Sequence, residues 1–220
     1  MNKQKENPGT RTTREVFEEW GQTRRADDMA DHHWGTVKQA FELISESSGN
    51  YLEIGVGNGY GIDYMATHQF ARGKCWGFDL AENMVQRALQ RNRANPHVQI
   101  RQGDFLTVDL TPEAPFALIF SMEVFYYFPD IQQGIDKAFS LLQPGGRLWV
   151  LVNFYQENPA SHTWPEALNT PMTLWSRQDY RCAFEKAGFT EVDQHIFKDD
   201  SPNSDGPTLA TIGIKPAFWV

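Results

Sequence analysis

Tyr51-Leu52-Glu53-Ile54 is a short apolar run that stops in a cluster of glycines, Gly55-Val56-Gly57-Asn58-Gly59-Tyr60-Gly61. Glycine tolerates backbone angles that other residues avoid. Its missing Cβ also lets a main chain approach a ligand closely. Strand, tight glycine turn and helix is the unit that this pattern specifies, and it aims bare backbone and a helix N-terminus at whatever binds there. An α/β architecture follows if the rest of the chain repeats the alternation.

The rest of the chain does repeat it. Lys74 to Phe78 reads as a second strand that ends at Asp79, before an amphipathic helical run from Asn83 to Asn95. Val98 to Arg101 is a third strand. Phe116 to Met122 is a fourth, apolar nearly throughout, as a strand covered on both faces should be. Ile131 to Leu142 is a helix closed by Gln143-Pro144-Gly145-Gly146, and Arg147 to Phe154 is the fifth strand. Alternating β and α of this kind implies a parallel sheet with right-handed crossovers. Tyr155 to Trp175, with Pro159, Pro165 and Pro171, reads as a long loop of a length usually kept for function. Ser176 to Gly188 has an N-cap serine, an acid three residues on and a closing glycine, so it is a helix. Val192 to Phe197 and Leu209 to Ile214 are expected as an antiparallel pair at the sheet edge, joined by the turn residues of Asp199 to Gly206.

Ahead of the first strand, Met1 to Thr13 is expected to be a loose arm. Val16, Phe17 and Trp20, then Trp34, Val37, Phe41 and Ile44, mark two helices, the second ending at Gly49-Asn50. The expected fold class is therefore α/β: a Rossmann-like, seven-stranded, mostly parallel sheet with helices on both faces, antiparallel C-terminal edge strands and an N-terminal helical lid. One domain is expected over 1–220, with arm and lid in 1–48, a ligand-binding half in 49–154, and substrate loop, last helix and edge strands in 155–220.

Composition narrows the function. The chain has 220 residues, 40% of them apolar and 22% charged, the profile of a folded protein. A net charge of −8 repels the phosphate backbone that supplies most nucleic-acid affinity, so no nucleic-acid partner is expected. No apolar stretch reaches membrane-spanning length, and the polar start lacks a signal-peptide core, so a cytoplasmic location with no membrane partner is expected. Cys75 and Cys182 have no metal-ligand spacing around them, and no metal site is expected.

Two ligand classes compete for the glycine turn. The dinucleotide pattern G-x-G-x-x-G requires glycine at Tyr60 if it starts at Gly55, and at Ile62 if it starts at Gly57, so it fails in both frames. Glu53-Ile54-Gly55-Val56-Gly57-Asn58-Gly59 fits the loop E/D-x-G-x-G-x-G without a gap, and a carboxylate before the glycines suits a ligand carrying an ammonium group. On these residues the chain resembles the class I S-adenosylmethionine-dependent methyltransferases, of the small-molecule type, over roughly Tyr51 to Val192.

That resemblance implies a set of roles. Glu53, Gly55, Gly57 and Gly59 would take the methionine end and the backbone approach, and Asp79 with Leu80, at the end of the second strand, would take the ribose hydroxyls. Two acceptor oxygens are the chemical match for a vicinal diol. Asp104 would face the adenine amine with Phe105 packed on the ring. Ser121, in the Ser121-to-Glu123 stretch that ends the fourth strand, would lie over the methionine moiety. The family's Pro-Gly-Gly turn stands at Pro144-Gly145-Gly146. The implied cofactor is S-adenosyl-L-methionine.

Methyl transfer from a sulfonium needs in-line approach, and a base only when the accepting atom must lose a proton. His33, His162 and Tyr126 are the candidate catalytic residues, the histidines because imidazole titrates near neutral pH. Small-molecule members often carry a histidine before Val/Ile-Pro-Asp after the fourth strand, and here that position is Tyr127. Three aromatic segments are expected to wall the acceptor side: Phe17, Trp20, His32, His33 and Trp34; Phe125 to Phe128; and Phe154, Tyr155, His162, Trp164 and Trp175. Such a cage favours an amine or aromatic acceptor. The absence of an Asp/Asn-Pro-Pro-Tyr/Phe segment, and of a cysteine near the fourth strand, argues against DNA-base methylation. The expected activity is methyl transfer to a small-molecule acceptor, amine or hydroxyl, by a monomer or homodimer. The alternatives are a non-catalytic S-adenosylmethionine binder or another transferase using the same sulfonium.

Overall fold

The computed structural model describes residues 10–45, 48–199 and 206–217. Most of the expected arm, part of the stretch before the first strand and most of the Asp199-to-Gly206 connection lie outside the described residues.

The strands are β1 (Asn50–Ile54), β2 (Cys75–Asp79), β3 (Val98–Gln102), β4 (Phe116–Met122), β5 (Leu142–Val152), β6 (Thr190–Phe197) and β7 (Thr208–Ile214). They form one sheet in the order β3-β2-β1-β4-β5-β7-β6. The pairings β1–β2, β1–β4, β2–β3 and β4–β5 are parallel, and β7 runs antiparallel between β5 and β6. The connection direction reverses between β1 and β4, so a crevice opens at the carboxyl ends of those two strands.

Side chains alternate across β1. Leu52 and Ile54 join the core beneath α5 (Ile131–Leu141) and α7 (Arg177–Ala187), with Ile135, Phe139 and Phe184. Tyr51 faces the opposite core, built with α2 (Arg25–Glu42), α3 (Tyr60–His68) and α4 (Glu82–Arg91), where Phe41, Met65 and Val85 pack. That two-residue period also turns Glu53 toward α3, into a layer that is otherwise apolar.

The lid consists of α1 (Thr13–Gly21) and α2, and α1 is started by a capping box between Thr12 and Glu15. Glu18 clasps it to the body: its two carboxylate oxygens accept from the amides of Glu82 and Asn83, at 2.7 and 2.9 Å. Those amides open α4, whose own N-cap residue, Ala81, offers no side-chain acceptor, so the lid supplies the missing cap. Arg87 adds bonds to the carbonyls of Gly21 and Thr23.

Several boundaries differ from the sequence reading, and α2 ends at Glu42 with Leu43 as its C-cap, ahead of the expected stop at Gly49-Asn50. β5 begins at Leu142 and runs through Pro144-Gly145-Gly146, because Gly145 donates to the Lys215 carbonyl and Lys215 donates back to Gly146. α4 stops at Arg91, where the Asn92 side chain turns back to the carbonyls of Gly59 and Ala88. The long segment after β5 carries a 3-10 turn at Pro159–Ser161 and a short helix, α6 (Trp164–Leu168), with proline in its first turn. Backbone bonding ties the end of α6 to the start of the lid: the Arg11 amide donates to Asn169, and the Thr170 hydroxyl to Arg11.

Candidate functional site

A cavity of about 620 Å³ lies at the carboxyl ends of β1 to β4, roofed by α1, α2 and α6. Its floor is the glycine turn. The amides of Gly55 and Val56 both donate to the Phe78 carbonyl, at 2.8 and 3.0 Å, which pins the turn to β2. Gly55 has φ +72°, and a Cβ there would stand 2.1 Å from a Val124 methyl, so any other residue would be strained and would have to displace Val124. Gly57, at φ +54°, faces Met29 of the lid.

Acidic side chains line this cavity from the ends of β1 to β4, and three of them, Glu53, Asp79 and Asp104, stand on the β1–β3 flank, with Asp28 of α2 among the lining as well. Glu53 is buried and accepts from the Tyr51 hydroxyl at 2.7 Å. Among the described residues it has no ion-pair partner, and burial pushes its carboxyl up to about 8, against the opposing pull of that one hydrogen bond. Gly61 makes its position possible, since a Cβ there would lie 2.6 Å from a carboxylate oxygen. Asp79 ends β2 with one oxygen accepting from the Gly57 amide and the other from the Ala81 amide, both at 2.9 Å. Burial raises it to about 6 in spite of those amides. Asp104 uses one oxygen for the Leu106 amide at 2.9 Å, and its other oxygen has no hydrogen-bond partner among the described residues. Leu80 and Phe105 complete this flank.

The opposite flank is the turn after β4. Glu123 is buried, lines the cavity and has φ +59°, a backbone angle that a side-chain-bearing residue seldom adopts. Its carboxylate accepts from the Asn153 amide and from the Tyr126 hydroxyl, the latter at 2.8 Å. Burial first, and the Glu123 charge second, hold the Tyr126 phenol far above its ordinary range, so it is a proton donor in that bond and not a base. Tyr127 meets Phe17 of the lid edge-on at 5.4 Å, and Phe17 meets Trp20 at 5.2 Å, which carries an aromatic wall from the sheet into the lid.

The residues singled out from sequence divide cleanly. Glu53, Gly55, Gly57, Asp79, Leu80, Asp104, Phe105, His33 and Tyr126 all line the one cavity. Gly59 does not: it starts α3 at φ +82° and packs against Ala88 and Asn92, so it serves helix packing instead of ligand approach. Ser121 does not either, being fully buried with its hydroxyl donating to the Ile54 carbonyl at 3.2 Å between two strands. His162 lies away from the cavity, with a ring nitrogen 3.4 Å from the Tyr155 carbonyl and its ring against Phe154. Trp34 packs on Tyr60 and Tyr64, and Trp175 on Tyr180, so neither walls the cavity. Tyr60, Met29 and the strained position of Glu123 were beyond sequence reasoning, because they depend on where α2 and the β4 turn come to rest.

Comparison with known proteins agrees with this geometry. A family profile described as a methyltransferase domain matches residues 23–194. A Mycolicibacterium smegmatis protein described as a probable S-adenosylmethionine-dependent methyltransferase is 29% identical over 147 residues, covering 64% of this chain and 52% of its own. A Streptomyces fradiae transposon protein is 29% identical over 97 residues, covering 28% of its own length. The chain thus spans about half the length, or less, of the curated relatives it matches. Among solved structures, the methyltransferase of a complex with the Haloferax volcanii Trm112 methyltransferase activator superposes with a TM-score of 0.81 at 28% identity, covering 91% of this chain and 97% of that one. The N-methyltransferase NodS of Bradyrhizobium japonicum, in complex with S-adenosyl-L-homocysteine, superposes at 0.70 and 20% identity, covering 94% of this chain and 100% of that one. With the profile spanning most of the chain and the sheet order of the fold reproduced, the chain belongs to the class I S-adenosylmethionine-dependent methyltransferase family.

Proposed function

We propose that the chain binds S-adenosyl-L-methionine at the carboxyl ends of β1 to β3 and transfers its methyl group to a small molecule held against the β4 turn. The observation that carries this reading is that Glu53, Asp79 and Asp104 line one flank of the cavity from the ends of β1, β2 and β3 in turn. A sulfonium cofactor with an amino-acid end, a ribose diol and an adenine presents donors in that order.

The residues fit such a ligand by their chemistry. Glu53 is a buried carboxylate whose ionised form lacks a cation, and an ammonium group would supply one. Asp79 spends one lone pair of each oxygen on an amide, which leaves acceptor capacity on both oxygens for two hydroxyls. Asp104 has an oxygen to spare for an exocyclic amine, beside the Phe105 ring. When bound, the cofactor supplies an electrophilic methyl group open to in-line attack. The chain's part is to exclude water with the Phe17–Trp20–Tyr127 wall and to hold the acceptor in line. His33 remains a candidate to handle a proton, since it lines the same cavity. A small molecule suits the enclosed aromatic site, and the net charge of −8 disfavours nucleic acid.

Calorimetric titration with S-adenosylmethionine, S-adenosylhomocysteine and a nicotinamide dinucleotide tests the reading. Binding of the two sulfur ligands alone, weakened at least about 100-fold in Asp79→Ala, is the expected result, since two hydrogen bonds to a charged group are removed. Tighter binding of the dinucleotide, or no loss in the variant, would overturn it.

A further inference from the structure

We propose that Glu123 receives the methyl acceptor, docking its ammonium group and accepting a proton from it, so that the site takes a small primary or secondary amine in preference to a phenol or an alcohol. The inference rests on the cofactor reading above and adds to it the acceptor class and the group that handles the proton.

Position is the first argument. The three cofactor-side carboxylates belong to β1, β2 and the turn after β3, whereas Glu123 follows β4 and leans toward β5, accepting from the Asn153 amide just past the end of that strand. It therefore enters the cavity from the flank that the cofactor would leave open.

Backbone strain is the second. Its φ of +59° is a conformation that costs a side-chain-bearing residue free energy unless its surroundings enforce it. Here the Glu123 amide donates to the Leu151 carbonyl at 2.9 Å, which fixes the main chain and aims the carboxylate at the Tyr126 hydroxyl. An ordinary turn residue such as glycine or asparagine would adopt this angle without strain. A carboxylate held there against preference points to use of the carboxylate.

The third argument is chemical. The Asn153 amide and the Tyr126 phenol both bond to the carboxylate and fix its orientation in the cavity. A carboxylate so placed, in a lining that also holds Tyr126 and Tyr127, can attract an ammonium ion by charge, and the aromatic rings of the lining suit a cation as well. The proton transfer balances. An ammonium ion gives one proton to Glu123 and becomes a neutral amine. Its nitrogen lone pair then forms the N–C bond as the C–S bond breaks. The electron pair of that bond stays on sulfur, and the positive charge passes from sulfur to the methylated nitrogen. The carboxyl proton leaves to solvent with the product.

Binding of phenethylamine and of its neutral counterpart 2-phenylethanol, each titrated into protein saturated with S-adenosylhomocysteine near pH 7.5, tests this. The amine is expected to bind at least tenfold more tightly than the alcohol. Glu123→Gln should remove that preference and leave the alcohol and S-adenosylhomocysteine affinities within twofold. Tyr126→Phe, which keeps the carboxylate but removes one of its donors, should weaken amine binding about threefold. Equal affinity for amine and alcohol in the unmodified protein overturns the proposal without recourse to any variant, as does a Glu123→Gln protein that keeps its preference for the amine. Failure of S-adenosylhomocysteine to bind at the outset would overturn the cofactor reading, and this inference with it, before any amine is added.

Discussion

On the β1–β2–β3 flank, the cavity is made of main chain and carboxylates that stand at strand ends. On the β4–β5 flank, it is made of rings drawn from α1, the turn after β4, and α6. The first flank needs only local chain: a glycine turn pinned to its neighbouring strand, and an acid at the end of each strand. The second is assembled from segments far apart in sequence, clasped by Glu18 on α4 and by Arg11 and Thr170 beside α6. A ligand that is always the same suits a site written into the sheet. A ligand that differs between enzymes suits a site written into movable and variable pieces.

Substitutions can break that contrast, and the largest effect is expected on the sheet flank. Gly55→Ala should lose about 1–3 kcal/mol from the left-handed angle alone, with the Val124 clash in addition. Thermal unfolding should show a drop of roughly 2–4 °C for each kcal/mol in a chain of this length. An unchanged melting temperature would mean that the turn is far softer than its geometry implies.

Glu53 should make the same flank sensitive to pH. Its folded carboxyl sits near 8, above the ordinary 4.5, so the contribution to stability of the unliganded protein is present below 4.5 and is lost as pH rises through about 8. An ammonium ligand prefers the ionised form, so binding should release a proton near pH 7, and affinity should climb up to about pH 8 and level off above it. Calorimetry in buffers of different ionisation enthalpy reads the proton directly. Glu53→Gln should abolish the release, weaken binding roughly tenfold and flatten the pH dependence of stability.

Smaller effects should separate the two flanks. Trp20→Ala is expected to weaken binding of an amine probe about three- to fivefold, the size of one cation–π contact, and to leave S-adenosylhomocysteine untouched. Trp34→Ala should do neither, because that ring packs on Tyr60 and Tyr64 outside the cavity, and should instead lower stability by about 1–3 kcal/mol. The smallest effect belongs to Tyr180. Its hydroxyl is buried with no hydrogen-bond partner among the described residues, and Tyr180→Phe should leave stability unchanged or raise it slightly in denaturant titration.

The same contrast explains what the sequence made legible. Strand periods, the Glu53 loop and the acids at Asp79 and Asp104 are local signals, and each fell within a few residues of its observed element. Gly59 looked like its two predecessors in sequence, and only the approach of α4 gives it a different task. Ser121 points into the gap between β4 and β1 because the two-residue period leaves that face to it, while Glu123 escapes the period through its left-handed backbone. His162 is drawn away from the cavity by the 3-10 turn ahead of it, a short element without periodicity to reveal it. α6 was hidden in the same way, since five residues containing a proline give no helical pattern to read.

The placement of β7 also bears on how the molecule is made. It follows β6 in the chain but lies inside it in the sheet, pairing with β5 on one side and β6 on the other. Until Thr208–Ile214 has left the ribosome, the edge of β5 is bare and β6 has nothing to pair with. β1 to β4 can associate earlier in synthesis. A nascent chain arrested before Thr208 would therefore carry a formed glycine turn beside an open sheet edge, the state in which chaperone capture or mispairing is most to be expected.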